Sequence, residues 1–184
     1  GDLVQARALA EESLALAESA RTPGPLAKAH VTIGTTLYYL GELDAAATHL
    51  ERARRLFTRA GTRPTTRGTV QAPAVNALAF LAMTTWFRGR PDAALRLAEE
   101  ARGIADGLAH PLSVLWAAHV TALLHHARGE PGPAADAATV AIGVAGELGL
   151  RQWTAWGVFF HGWLATTAGR LTDGIAAMHA GLDE

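Results

Sequence analysis

The chain has 184 residues, 49% of them hydrophobic and 18% charged, with a formal net charge of −1 and no cysteine. That is enough apolar material for one globular core. It is too little positive charge for a nucleic-acid footprint or for attraction to an anionic membrane surface. The lack of thiols excludes disulfides and thiolate metal sites, and the apolar runs break well before the roughly 18 residues a membrane-crossing helix needs.

Every periodic segment has helical spacing, and none alternates as a strand does. A first helix is predicted over 2–20. A second covers 25–40, where Leu26, His30, Ile33, Leu37 and Leu40 recur at three- and four-residue steps on one face. Gly41 ends it in the left-handed conformation, and Asp44 is placed to cap the next helix, which runs through Ala47, Leu50, Ala53 and Phe57 to about Ala60. Gly61 and Pro64 stop that helix, and 61–73 reads as a loop. The loop reads as a surface insertion, with an arm over a binding groove or a partner contact as its functional alternative. Further helices are predicted at 73–88, 92–108, 111–128, 133–148, 151–168 and 172–184.

Turn glycines stand at Gly1, Gly41, Gly89, Gly129 and Gly169, so their spacings are 40, 48, 40 and 40 residues. A fixed period of this size marks stacked supersecondary units. The surplus of 8 residues in the second spacing (48 − 40) falls in the 61–73 loop. Small residues keep register with the turns. Seven before each Gly are Gly34, Ala82, Ala122 and Gly162. Five after are Ala6, Ala46, Ala94, Ala134 and Gly174. Twelve after are Ser13, Ala53, Ala101, Ala141 and Gly181. Small side chains at fixed offsets let two helix backbones approach closely at a crossing.

These columns resemble the tetratricopeptide repeat, lengthened to about 40 residues. Tyr39-Leu40-Gly41-Glu42-Leu43-Asp44-Ala45-Ala46, Leu78-Ala79-Phe80-Leu81-Ala82 with Gly89-Arg90-Pro91-Asp92-Ala93-Ala94, and Gly149-Leu150-Arg151-Gln152-Trp153-Thr154-Ala155-Trp156-Gly157 are similar to the C-terminal repeats of bacterial multidomain signalling proteins. Those carry an ATPase module with either a class III adenylate/guanylate cyclase domain or a DNA-binding domain of LuxR or winged-helix type. No Gly-x-x-x-x-Gly-Lys-Ser/Thr occurs in this chain. The resemblance implies an all-α fold, a right-handed solenoid of antiparallel helical hairpins. It implies one repeat domain over 1–184, a fragment of a larger cytoplasmic protein, not itself an enzyme and using no cofactor. The implied function is a protein-interaction or ligand-sensing module of a signalling or transcription-regulatory ATPase. A structural homo-oligomerisation scaffold is the alternative. The implied partners are a protein or peptide, a small effector or a second copy of the chain, with no direct nucleic acid and no membrane.

The first helix of each hairpin lines the concave wall of such a solenoid. Offsets from the turn glycines place Tyr38, Trp86, Trp116, His119, His126, Trp156, Phe159 and Trp163 there. Large, stiff aromatic side chains suit a peptide or apolar ligand, and core filling and a homodimer interface are the competing readings of the same stripe. No residue is assigned to catalysis or to a metal. His119 and His126 lie seven apart, about 10 Å by the helical rise, too far to chelate one ion alone. A zinc site would need His161 from another helix.

Carboxylate neighbours such as Glu11-Glu12 and Glu99-Glu100 do not face each other on a helix, and Ser13, Ser19 and Ser113 have no nucleophile motif around them. The run Glu51-Arg52-Ala53-Arg54-Arg55 is mixed in sign and reads as a solvated face. A phosphate or acidic-peptide contact is its functional alternative.

Overall fold

The computed structural model describes residues 2–20, 22–59 and 71–183, with the backbone alone at Arg59. The described residues form nine helices and no strand. They are α1 (Leu3–Ala20), α2 (Pro23–Tyr39), α3 (Leu43–Arg59), α4 (Pro73–Phe87), α5 (Pro91–Leu108), α6 (Pro111–Ala127), α7 (Pro131–Glu147), α8 (Arg151–Thr167) and α9 (Leu171–Asp183). Each predicted helix is present with ends shifted by a few residues. Gly1, Gly61 and most of the 61–73 loop lie outside the described residues.

The helix starts follow from proline: α2, α4, α5, α6 and α7 all begin on one, where a missing N–H costs nothing and the fixed φ suits the first turn. Asp44 departs from its expected role. It lies inside the first turn of α3, not at the cap, and its carboxylate accepts from the Arg88 guanidinium at 2.8 Å.

The hairpins close as the turn glycines require. Gly41, Gly89, Gly129 and Gly169 have φ of 78°, 75°, 72° and 83°. Gly149, between α7 and α8, also has positive φ (65°), and forty residues earlier the same turn position holds Ala109 at φ 48°. Alanine pays a steric cost in that conformation that glycine avoids. Ala109→Gly is therefore expected to raise stability by roughly 0.5–1 kcal/mol, and Gly149→Ala to lower it by a similar amount. Urea midpoints check both.

The chain divides into two compact units, Gly1–His110 and Pro111–Glu184. In the first, α2 pairs with α3 and α4 with α5, while α1 packs on α2 and α3 on α4. In the second, α6 pairs with α7 and α8 with α9, and α7 packs on α8. Within the first unit, α4 is buried along most of its length from Pro73 to Ala82. By contrast, α5 buries only the stripe Ala94, Ala98, Ala101 and Ala105, as expected of a helix with one covered face.

The small-residue columns form the hairpin seams. Ala46, Ala53, Ala82, Ala94, Ala101, Ala122 and Ala134 are all fully buried. A Cβ on Gly34 would lie 2.7 Å from Leu50 Cγ, and one on Gly181 would lie 2.6 Å from the Phe159 amide. The columns weaken in α1, where Ala6 is half-buried and Ser13 exposed, and the buried residues are Ala10 and Ala17 instead. The aligned positions of α1 meet no hairpin partner among the described residues.

Candidate functional site

All eight residues assigned to the aromatic face are half-buried. Tyr38 lies on α2, Trp86 on α4, Trp116, His119 and His126 on α6, and Trp156, Phe159 and Trp163 on α8. Six of them fall into two clusters, one in each unit, and Trp86 and Phe159 stand outside both.

In the first unit the C-terminal turns of α2 and α4 carry an aromatic platform. The Tyr38 ring lies edge-on to Phe80 at 5.3 Å between centroids and 6.2 Å from Phe87, and Tyr39 lies edge-on to Phe80 at 5.8 Å. The Tyr38 hydroxyl donates to Met83 Sδ at 3.8 Å, and burial raises its pKa, with Tyr39 adding to the effect. Phe80 is buried, whereas Tyr39 and Phe87 are 59% and 62% exposed. Two large rings therefore project to solvent from a packed aromatic base. Trp86 is half-buried and joins no ring cluster among the described residues.

In the second unit the cluster bridges α6 and α8. No Cα of α6 lies within 8 Å of a Cα of α8, whereas α2 and α4 do approach that closely. Side chains fill the interval. The His119 ring stacks on Trp116 (5.6 Å, 18°) and meets Trp153 and Trp156 edge-on at 4.9 and 4.3 Å. His126 meets Trp163 at 3.9 Å and Phe160 at 5.7 Å, and Phe160 lies 4.9 Å from Trp156. Ala122, Ala134, Ala137 and Ala138 pack with Phe160 beneath them.

Burial dominates the electrostatics here. Desolvation pushes the His119 imidazole down to about 4 and lowers His126 in the same sense. The Nδ1 atoms of both rings are buried without a hydrogen-bond partner among the described residues. Both rings are therefore neutral at pH 7 and act as flat, weakly polar surface. His161 is exposed, and no group of three or more His, Cys, Asp or Glu side chains that could hold a metal ion occurs among the described residues.

Trp153 and Phe160 are cluster members that the repeat offsets did not select. The stripe on α8 runs Trp153, Trp156, Phe160, Trp163, with steps of three, four and three residues. That periodicity is visible in the sequence. The offset rule landed instead on Phe159, which is half-buried and outside the ring cluster among the described residues.

No family model matches the chain, and no curated protein is significantly similar to it. Its backbone matches solved helical-repeat structures. BtubC (BKLC) from P. vanneervenii aligns with TM-score 0.81 at 17% identity, over 100% of this chain and 73% of that one. A putative kinesin light chain from Podosopora anserina with nearly identical TPR-like repeats gives 0.73 at 13% identity, over 100% and 86%. The Rap conjugation gene regulator of the plasmid pLS20, solved with the Phr* peptide, gives 0.65 at 16% identity, over 85% of this chain and 41% of that one. The chain is all-α and has the fold of a tetratricopeptide-like solenoid of helical hairpins.

Proposed function

We propose that the chain is a peptide- or protein-binding repeat module of a bacterial multidomain signalling or transcription-regulatory ATPase, docking its partner on the aromatic faces of the first helices. The observation that carries this reading is the pair Tyr39 and Phe87, exposed on a base of Tyr38, Phe80 and Met83. Rigid rings on a packed base bind with little loss of rotamer freedom, which is what makes aromatic anchors effective at interfaces. A structural neighbour solved with a peptide supports the same reading. Partner binding would regulate by favouring one state of the flanking domains over another.

The test is selection of displayed peptides on the chain, followed by affinity measurement on Phe87→Ala and Tyr39→Ala. Selected peptides are expected to carry apolar anchors and to lose about tenfold in affinity on Phe87→Ala, while unfolding midpoints barely move because the side chain is exposed. Peptides indifferent to both substitutions would overturn the reading.

A homo-oligomerisation scaffold is favoured by a separate feature. Leu171, Ile175 and Leu182 form an exposed apolar stripe on α9, spaced four and seven residues apart. Sedimentation of the parent and of Ile175→Glu separates the two readings.

A further inference from the structure

A cleft of about 520 Å³ opens where α1, α2 and α3 meet in the first unit. Glu18 of α1 and His30 of α2 line it together with Thr48, His49, Arg52 and Arg55 of α3. Thr48, Arg52 and Arg55 share one helical face at four- and three-residue steps, and His49, three before Arg52, extends that wall toward α2. Leu26 adds an apolar patch.

The floor is a pair of histidines. His30 is 8% exposed, and its Nδ1 lies 3.0 Å from Nδ1 of His49. Two ring nitrogens that close require one to donate and the other to accept. In the neutral pair one Nε2 then carries a hydrogen and the other a lone pair. One added proton turns both Nε2 atoms into donors without breaking the Nδ1–Nδ1 bond. Burial, first of all, holds both rings below their ordinary pKa, and His49 and Arg52 lower His30 further, while Glu18 pulls both rings up. The wall adds the Arg55 cation, and α4, packed on α2 and α3, carries no acidic or basic side chain.

Three other arginines of the unit are firmly engaged, unlike the two at this cleft. Arg7, Arg54 and Arg88 each pair with a carboxylate at 2.6–2.8 Å. Arg52 makes no hydrogen bond or ion pair with the described residues, and Arg55 has only a 4.0 Å contact to Glu51. Two weakly engaged guanidiniums therefore stand over a pair of imidazoles that can take up one proton. Thr48 only shapes the wall, since its hydroxyl already donates to the Asp44 carbonyl at 2.9 Å.

We propose that this cleft binds a phosphate-bearing small molecule, with Arg52 and Arg55 on the phosphate oxygens and one proton taken up by the His30–His49 pair. Guanidinium forks match the geometry of phosphate oxygens, and charge-assisted bonds are the strong ones. A doubly charged oxyanion offsets the two arginines and makes protonation of the histidine pair favourable. The cleft is larger than bare phosphate, and Leu26 offers apolar surface to an organic remainder.

The test is calorimetric titration of the whole chain with inorganic phosphate, and separately with sulfate, in two buffers of different ionisation enthalpy. Sulfate keeps its charge near neutral pH, so any proton uptake on sulfate binding belongs to the protein. Saturable binding of both ions is expected, with net proton uptake on sulfate binding. Arg52→Gln is expected to weaken phosphate about tenfold and Glu18→Gln to tighten it, both positions being exposed and harmless to folding. His49→Gln is expected to abolish proton uptake on sulfate while helicity by circular dichroism is retained. Absence of saturable binding would overturn the proposal, as would affinity indifferent to Arg52→Gln. Zinc binding that weakens in Glu18→Gln would also overturn it, by identifying the cleft as a metal site.

Discussion

Gly174→Ala is expected to destabilise the protein by about 2 kcal/mol, and Gly143→Ala to stabilise it by up to about 1 kcal/mol. Both replace glycine by alanine within a helix of the second unit, and both gain helix propensity. They differ in what the new methyl meets. At Gly174 it would lie 2.5 Å from Thr166 Cγ2 and 2.6 Å from the carbonyl oxygen of Gly162. The second neighbour is backbone, so relief requires α8 and α9 to separate. Overpacking of that kind typically costs about 1–3 kcal/mol, more than the propensity gain. At Gly143 nothing lies within 4 Å, so the propensity gain stands alone. Urea unfolding of the two variants beside the parent reads the difference. A Gly174→Ala variant as stable as the parent would mean that the α8–α9 seam lies elsewhere, and with it the whole register of small residues. On the same grounds Ala94→Leu is expected to cost about 1–3 kcal/mol in the first unit.

Stability is expected to fall as pH drops from about 6.5 toward 4, with His119 as the main cause. The unfolded chain takes up a proton on this ring at about 6.5, whereas in the folded protein burial holds the ring down to about 4. Between those values the unfolded state binds more protons, so acid favours unfolding. The contribution is fully present above about 6.5 and is lost as pH falls through the folded value. A gap of this size corresponds to at most about 3 kcal/mol, and the indole rings of Trp116, Trp153 and Trp156 offset part of it by attracting an imidazolium. His119→Phe keeps an aromatic ring in the interval and removes the titration. Its stability should therefore depend less steeply on pH over that range, with His126 supplying part of the remaining slope. Equal slopes for variant and parent would show that the imidazole is not desolvated in solution.

The seams could be read from the sequence because close backbone approach leaves only glycine and alanine acceptable. That restriction recurs at every hairpin, so Ala46, Ala94, Ala134 and Gly174 line up at one offset. The ring cluster was less legible. An offset from a turn locates a Cα, but an indole or phenyl ring reaches over most of a helical turn. A one-residue error therefore exchanges Phe159 for Phe160, and Trp153 enters from a turn further away. Asp44 misled because the cap position and this first-turn acid are only two residues apart in sequence, and its contact with Arg88 spans 44 residues. The His30–His49 pair left no local signal, since neither residue stands near the other in the chain. Of that cleft only the arginine-rich run on α3 could be singled out in advance.

The interval between α6 and α8 has a consequence for how such repeats diverge. Where two neighbouring first helices touch directly, as α2 and α4 do, their spacing is a property of the backbone and resists adjustment. Where rings hold them apart, the spacing is written in a few side chains at Trp116, His119, Trp156 and Trp163. Those rings work as a gauge block. Exchanging one for a smaller residue alters the local pitch while leaving both hairpins intact. Pitch in this part of the molecule can therefore drift under selection independently of the seams that keep it folded.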